Sequence, residues 1–385
     1  MFAKQIIKGI ETPDEILSSY TEPLQNWLSL LCTRVEQAEA DFAQFVQVSH
    51  FNQSVPLKEN SHRGLLAAIL RDYEDIENRI AIELDTFLPL ISVWNNQKRS
   101  SETRLHHDLL KTFVSDVLKL GNINGYIMTI VGEGYACLPI KWDERKHVIF
   151  GTYSEMKNLQ KSVLLAHEIG HVFYHKNENE IASNITSKVL RQLIESMPLN
   201  VDQTVFERAR YIWAQHWIPE FVSDCFAVRL MGPAFLLQFM LLAINSQPNS
   251  INSTHPPSNL RVKFMVDTLQ SLNLSNSNIG HYQALWDSYA HSVSVPNSVF
   301  LVDEEVTKTA FDSINSVMLP TCVDEKWVEI LEAKKTIEAN MVPTADLVSN
   351  ICALAMVEEH NKGDVDLAMI SQALLKRYAH DSNVF

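Results

Sequence analysis

The chain has 385 residues and a formal net charge of -14, from 32 Lys plus Arg against 46 Asp plus Glu. It exceeds the ~100–200 residues of a typical domain, and its 46% hydrophobic content indicates a globular protein that can bury a sizeable core. The acidic balance, with no long basic run, argues against nucleic acid as a partner because such a surface repels phosphate groups.

Three features predict a cytoplasmic protein with no membrane partner. The first residues contain no apolar stretch of signal-peptide length. The most apolar segment, Ala234 to Ile244, is shorter than the ~20 residues that span a bilayer, so it predicts a buried helix. The five cysteines are odd in number and form no CxxC pair, which indicates reduced thiols.

The N-terminal region, 1–120, has a helical pattern. From Pro13 to about Leu120 apolar residues recur at three- and four-residue spacings, interrupted by a polar loop between Asn95 and Arg104. His106 and His107 lie in the last helical stretch. Because neighbouring residues on a helix point in different directions, we expect these two histidines to lie on the surface and not to form a ligand pair.

The strand signals are confined to one part of the chain. Gly125 to Ile140 and Lys146 to Tyr153 are rich in β-branched and aromatic residues. They predict a small antiparallel sheet, with a hairpin turn at Gly132-Glu133-Gly134.

Helical patterns return at Glu155 and continue to the end of the chain. They are expected to be interrupted at Pro198, Pro219 and Pro233 and in a Pro/Ser/Asn-rich loop. The predicted fold class is therefore α+β and helix-dominated. A central domain, 121–290, would lie between helical regions at 1–120 and 291–385.

The segment SVLLAHEIGHVFYH carries the strongest chemical signal. His167 and His171 are four residues apart, about one helical turn, so both imidazoles project from one face and can bind one zinc ion. Glu168 lies beside them as the predicted general base for a water molecule. The apolar surroundings favour a metal over a solvated surface helix, because buried imidazole and carboxylate groups need partners.

A catalytic zinc site usually needs a third protein ligand. The metzincin pattern requires Gly and His where this chain has Tyr174 and Asn177, so it fails. WIPEFVSDCFAVRLMGP instead supplies Glu220 as the predicted third ligand. The weaker rivals, which stand in more polar stretches, are Glu178, Glu180, Glu195 and Glu207.

Two further residues have predicted roles around the ligands. Asp224 stands one turn after Glu220 and could accept the outer N–H of a ligating histidine. His175, eight residues after His167, faces roughly the same way and could be a reserve ligand, a substrate contact or a helix cap.

The motifs LLAHEIGHVFYH, EFVSDCFAVRLMGP and STHPPSNLR give a resemblance to gluzincin-type zinc metallopeptidases. The first two resemble the ImmA/IrrE-type peptidases. The third is similar to the HP-to-Arg motif of the HtpX-like and CAAX-prenyl-endopeptidase families. The resemblance covers roughly Val148 to Met265 and implies a zincin-like catalytic domain, with His255 and Arg261 near the active-site cleft.

By that resemblance His255 or Arg261 would stabilise the oxyanion of a tetrahedral intermediate. Arg261 could instead brace the fold, and His255 could serve only as part of a rigid turn. The chain departs from these families in three ways: it has no membrane helices, a long interval between His171 and Glu220, and no helix-turn-helix signature.

The predicted function is zinc-dependent hydrolysis of a protein or peptide substrate, regulated or latent. In zincins the substrate lies along an edge strand, and Val148 to Gly151 is the segment expected to provide it. The helical flanks would gate access or bind a regulatory protein. The alternatives are a catalytically silent zincin-fold binding protein and a purely structural zinc; structural sites usually have four ligands, often cysteines, which this chain does not place suitably.

Overall fold

The computed structural model describes residues 101–124, 126–132, 136–139, 146–152, 159–197, 202–244, 254–272, 278–290, 304–317, 323–358 and 365–381, with residues 93, 97 and 274. Apart from residue 93, they belong to a unit that runs from Asn96 to Phe385. The helical prediction for residues 1–92 lies outside the described residues. The division into regions 1–120, 121–290 and 291–385 stays a prediction.

Helices dominate the described residues, as predicted. None of these helices combines the length and the apolar composition that a membrane crossing requires. Their bounds are α1 Ser101–Leu120, α2 Leu165–Lys176, α3 Glu178–Ile181, α4 Ser187–Glu195, α5 Gln203–Ile212, α6 Ile218–Met231, α7 Pro233–Ala243, α8 Ser258–Ser271, α9 Ile279–Ala290, α10 Glu304–Ser316, α11 Val323–Glu338, α12 Leu347–Glu358 and α13 Leu367–Asp381.

The sheet is mixed, which corrects the antiparallel prediction. Its strands are β1 Tyr126–Gly132, β2 Ala136–Pro139 and β3 Lys146–Thr152, in the spatial order β1-β3-β2. β1 pairs with β3 in parallel, and β2 pairs with β3 antiparallel. The strands on either side of Gly132-Glu133-Gly134 are therefore not paired with one another, and the hairpin prediction is wrong.

β3 is the central strand because it pairs with both β1 and β2, and it is also well buried. Val148 and Ile149 are fully buried, and so is His147. A continuous apolar run suits a strand that is covered on both faces, whereas the incompletely buried Ala136 and Cys137 suit an edge. The predicted substrate strand Val148 to Gly151 is thus not an edge strand; β2 is the edge strand that packs against α2.

Pro219 does not interrupt its helix. The chain is helical without a break from Gln203 to Met231, through α5, a π-helical turn at Trp213–Trp217 and α6. In that turn the N–H of Ile218 bonds to the carbonyl of Trp213, five residues back. The wider turn accommodates the proline, which has no N–H to donate. The predicted break at Pro233 does occur, at Gly232, whose φ is +61°.

One hydrophobic core connects α1, α2, α6, α7 and the C-terminal helices α11 and α12. α12 packs against α7 and against a 3-10 helical segment, Leu159–Leu164, that leads into α2. His107 on α1 is 1% exposed, so its predicted surface position is wrong. The helical face pattern of α1 already placed His107 beside the buried Leu110 and Val114, but the polar residue type masked that signal.

Candidate metal centre

The site is built where α2 and α6 approach closely. A Cβ placed on Gly170 of α2 would lie 2.6 Å from the Cα atom of Ser223 on α6. Only a residue without a side chain permits this distance, and the close packing sets the two ligand-bearing faces against each other. His167 and His171 on α2 therefore meet Glu220 on α6.

The three predicted ligands form a compact group. Their ligand atoms all lie within 4.8 Å of one another. The Nε2 atoms of His167 and His171 are 3.1 Å apart. The carboxylate oxygens of Glu220 lie 3.4 Å from His167 Nε2 and 3.3 Å from His171 Nε2. This is the one such group of His, Cys, Asp or Glu side chains that the described residues contain.

The charges of this group fit a bound cation. Glu220 Oε2 is buried and accepts no hydrogen bond from the described residues, although it has an ionic contact with Arg261. Burial alone would lower the pKa of His167, but the Glu220 and Asp224 carboxylates outweigh it and raise the pKa to about 10. The two carboxylates therefore favour a positive charge at this position. Two imidazoles and a carboxylate are a donor set that suits zinc and related divalent metals.

Asp224 lies behind His167, in the position that the sequence predicts. Its Oδ1 atom is 2.9 Å from His167 Nδ1. A hydrogen bond here fixes the tautomer, so that Nε2 presents its lone pair to a metal. Burial alone would raise the pKa of Asp224, but the Arg261 guanidinium lowers it overall. Asp224 thus remains an acceptor.

Arg261 braces both carboxylates from α8. Its Nε and Nη2 donate to the two oxygens of Asp224, each at 2.7 Å. Its Nη1 lies 3.1 Å from Glu220 Oε2. The side chain is only 10% exposed, so the guanidinium is turned toward the buried acids. This arrangement is the bracing alternative from the sequence, and it does not require a contact with substrate.

α7 supplies an aromatic backing that sequence reasoning missed. The ring of Phe235 stacks on His167 with centroids 6.4 Å apart. The Arg261 guanidinium lies 4.6 Å from the centroid of the Phe239 ring. The two phenylalanines are four residues apart, so one helix face supports both groups. The spacing was visible in the sequence, but nothing there indicated what the face would contact.

Glu168 follows His167 on α2, and the edge strand β2, which carries Cys137, packs against that helix. Glu168 is partly exposed. Burial, and then the nearby Glu168 carboxylate, raise the pKa of the Cys137 thiol well above its ordinary value. The edge strand β2 thus packs against the helix that carries the predicted general base. The sequence reasoning had assigned Cys137 no part in the site.

His255 lies at the rim of the group. Its Nε2 is 3.9 Å from Glu220 Oε1, and its side chain is 54% exposed. Burial lowers the pKa of His255, so the ring is neutral near pH 7. It is thus close to the site and accessible, and its predicted catalytic role stays a prediction.

His175 lies farther along α2. Its ring stacks on that of His147 in β3, with centroids 5.8 Å apart. Burial, and then His171, lower the pKa of His175 to about 4. The candidate metal-binding group does not include His175. The rival acids from the sequence are all on the surface: Glu178, Glu180, Glu195 and Glu207.

The fold and site together define a helix-dominated protein with a small mixed sheet and a candidate His-His-Glu metal centre. Comparison of the chain with protein-family models, with curated proteins and with solved structures found no match. The zincin fold and the gluzincin resemblance stay predictions from the sequence motifs.

The contact at Gly170 predicts a sensitive substitution. The added methyl group of Gly170→Ala would lie 2.6 Å from the Ser223 Cα and 2.9 Å from its carbonyl oxygen. We expect a loss of ~1–3 kcal/mol in the free energy of unfolding, as overpacking typically costs, together with weaker metal binding. Denaturant unfolding and metal titration measure the two effects. Gly280→Ala is the matched control, because nothing lies within 4 Å of its added Cβ; equal behaviour of the two variants would contradict the account.

Proposed function

We propose that the protein is a zinc-dependent endopeptidase that hydrolyses peptide bonds of a protein substrate. The observation that carries this proposal is the buried group of His167, His171 and Glu220, with the acid Glu168 next to the first ligand. Three protein ligands leave a coordination position for a water molecule or substrate, which is the arrangement of catalytic zinc sites.

The chain's own residues would supply the remaining steps. Zinc, when bound, lowers the pKa of a water molecule and polarises a carbonyl. Glu168 would take a proton from the attacking water and pass it to the leaving amine. His255, neutral and accessible at the rim, would donate a hydrogen bond to the developing oxyanion. Arg261 and Asp224 would hold the ligands in their orientation.

The edge strand β2 is the proposed substrate-binding element, in place of Val148 to Gly151. It packs against α2, the helix that carries Glu168, and the Glu168 carboxylate contributes to the raised pKa of Cys137. An extended peptide can pair with the main chain of an edge strand, which would place a peptide bond beside the site. A regulatory partner at the helical flanks and a cytoplasmic location remain predictions.

The test compares new N-termini in cell extract treated with zinc-loaded wild-type protein or with His171→Ala. The wild type should generate a defined set of cleaved proteins, and the variant should generate none, because it lacks one of three metal ligands. A chelator should stop the cleavage, and added zinc should restore it. Identical sets of N-termini from the two proteins would contradict the proposal.

A further inference from the structure

The carboxylate of Glu358, in the last turn of α12, bridges two buried amides from distant parts of the chain. Gln160 Nε2 donates to Glu358 Oε1 at 3.1 Å, and Gln238 Nε2 donates to Glu358 Oε2 at 2.7 Å. Gln160 is 6% exposed and Gln238 is 2% exposed. A buried amide left without its partner costs ~1–3 kcal/mol, so the bridge fixes both side chains to α12.

The first arm of the bridge reaches the helix behind the metal centre. Gln238 belongs to α7, between the two phenylalanines that back the site. Phe235 stacks on His167, and Phe239 lies under the Arg261 guanidinium. A rotation of α7 would shift both contacts together. The hydrogen bond from Gln238 to Glu358 opposes such a rotation of α7 about its axis.

The second arm reaches the start of the ligand helix. Gln160 lies in the 3-10 segment Leu159–Leu164, which continues directly into α2 at Leu165. His167 is the third residue of that helix. α12 packs against both the 3-10 segment and α7. Glu358 therefore connects α7, whose Phe235 stacks on His167, with the segment that leads into the helix carrying His167.

We propose that Glu358 is a positioning residue of the metal centre, which makes the C-terminal helix α12 part of that centre. The inference rests on the proposed metal site but not on peptide hydrolysis. It replaces, for α12, the expectation that the C-terminal region only gates access or binds a partner. Without the bridge, α7 and the start of α2 would lose their common anchor, and His167 would be held less rigidly.

The experiment measures zinc affinity by competition with a chelator, using full-length protein at a temperature far below unfolding. Glu358→Leu and Gln238→Met should each weaken zinc binding by about tenfold, the lower end of the ~10- to 100-fold range for residues that support metal ligands. The double variant should lose no more than Glu358→Leu alone, because both changes break the same bridge. Glu358→Gln should restore most of the affinity, since its amide can accept from Gln238 and, once the Gln160 amide turns over, donate to Gln160 Oε1, which is buried and accepts no hydrogen bond from the described residues.

Asp346→Ala is the matched control on the same helix. Asp346 caps the other end of α12 by accepting from the Ser349 N–H at 3.0 Å. Its loss should lower Tm and leave zinc affinity unchanged. Wild-type zinc affinity in Glu358→Leu, or an equal loss in Asp346→Ala, would overturn the inference; if Glu358→Leu does not fold, Gln238→Met and Gln160→Met decide by the same criterion. A wild-type protein that binds no zinc would refute both this inference and the proposed function. A wild-type protein that binds zinc, with unchanged affinity in Glu358→Leu, would refute this inference alone.

Discussion

Replacing Glu168 by glutamine should reduce peptide hydrolysis by ~10²–10⁴-fold, the usual contribution of a positioned acid-base group. Glu168 adjoins His167 but lies outside the candidate metal-binding group. Glutamine preserves the volume of the side chain and removes its basicity. Metal content and fold should therefore be unchanged. Cleavage rates of a substrate found in cell extract, and metal analysis of both proteins, check the two halves of the prediction.

Glu180→Gln is the control for this change. Glu180 is an exposed acid on the short helix that follows α2, so its substitution should leave both rate and metal content as in the wild type. A catalytically silent binding protein, or a purely structural metal, predicts equal behaviour of Glu168→Gln, Glu180→Gln and wild type. Such equality across all cleaved proteins would remove the peptidase proposal.

Replacing Arg261 by methionine should lower the free energy of unfolding of the metal-free protein by ~3–5 kcal/mol, as expected when one partner of a buried ion pair is removed. Asp224 is fully buried and Glu220 nearly so, and Arg261 contacts both carboxylates. Without the guanidinium, two negative charges would remain in the core. Arg261→Lys should recover only part of the loss, because an ammonium group cannot reproduce the two parallel bonds to Asp224. Denaturant unfolding of metal-free proteins measures these differences.

Arg210→Met provides the comparison for a surface ion pair. Arg210 contacts Glu207 at 3.0 Å with both side chains substantially exposed. Its loss should cost at most ~1 kcal/mol. If Arg261→Met were as mild as Arg210→Met, the role assigned to Arg261 in bracing the buried carboxylates would be wrong.

The candidate ligands could be proposed from the sequence because their signals are local. The four-residue spacing of His167 and His171, and of Glu220 and Asp224, places each pair on one helix face whatever the rest of the fold is. An apolar setting then indicates that these polar groups are buried. Both expectations depend on neighbours in sequence, and the structure brings the two pairs together.

The sheet order and the supporting contacts depend on pairings between distant residues. The sequence predicted an antiparallel sheet with a hairpin at Gly132-Glu133-Gly134, whereas β3 pairs with β1 in parallel and with β2 antiparallel. Gln160 and Glu358 are 198 residues apart in the chain. The close contact of Gly170 with Ser223 also joins separate helices. Contacts between residues so far apart in the chain cannot be predicted from local residue type and spacing.

The most direct test of the account is metal analysis of the purified wild-type protein beside Glu220→Gln. After exposure to zinc and removal of the excess, the wild type should retain about one zinc ion per chain, since His167, His171 and Glu220 form a single group. Glu220→Gln should fold and retain almost none, because it keeps only two of the three ligands. A wild-type protein that retains no metal, or a Glu220→Gln protein that retains as much zinc as the wild type, would contradict the assignment of this metal centre.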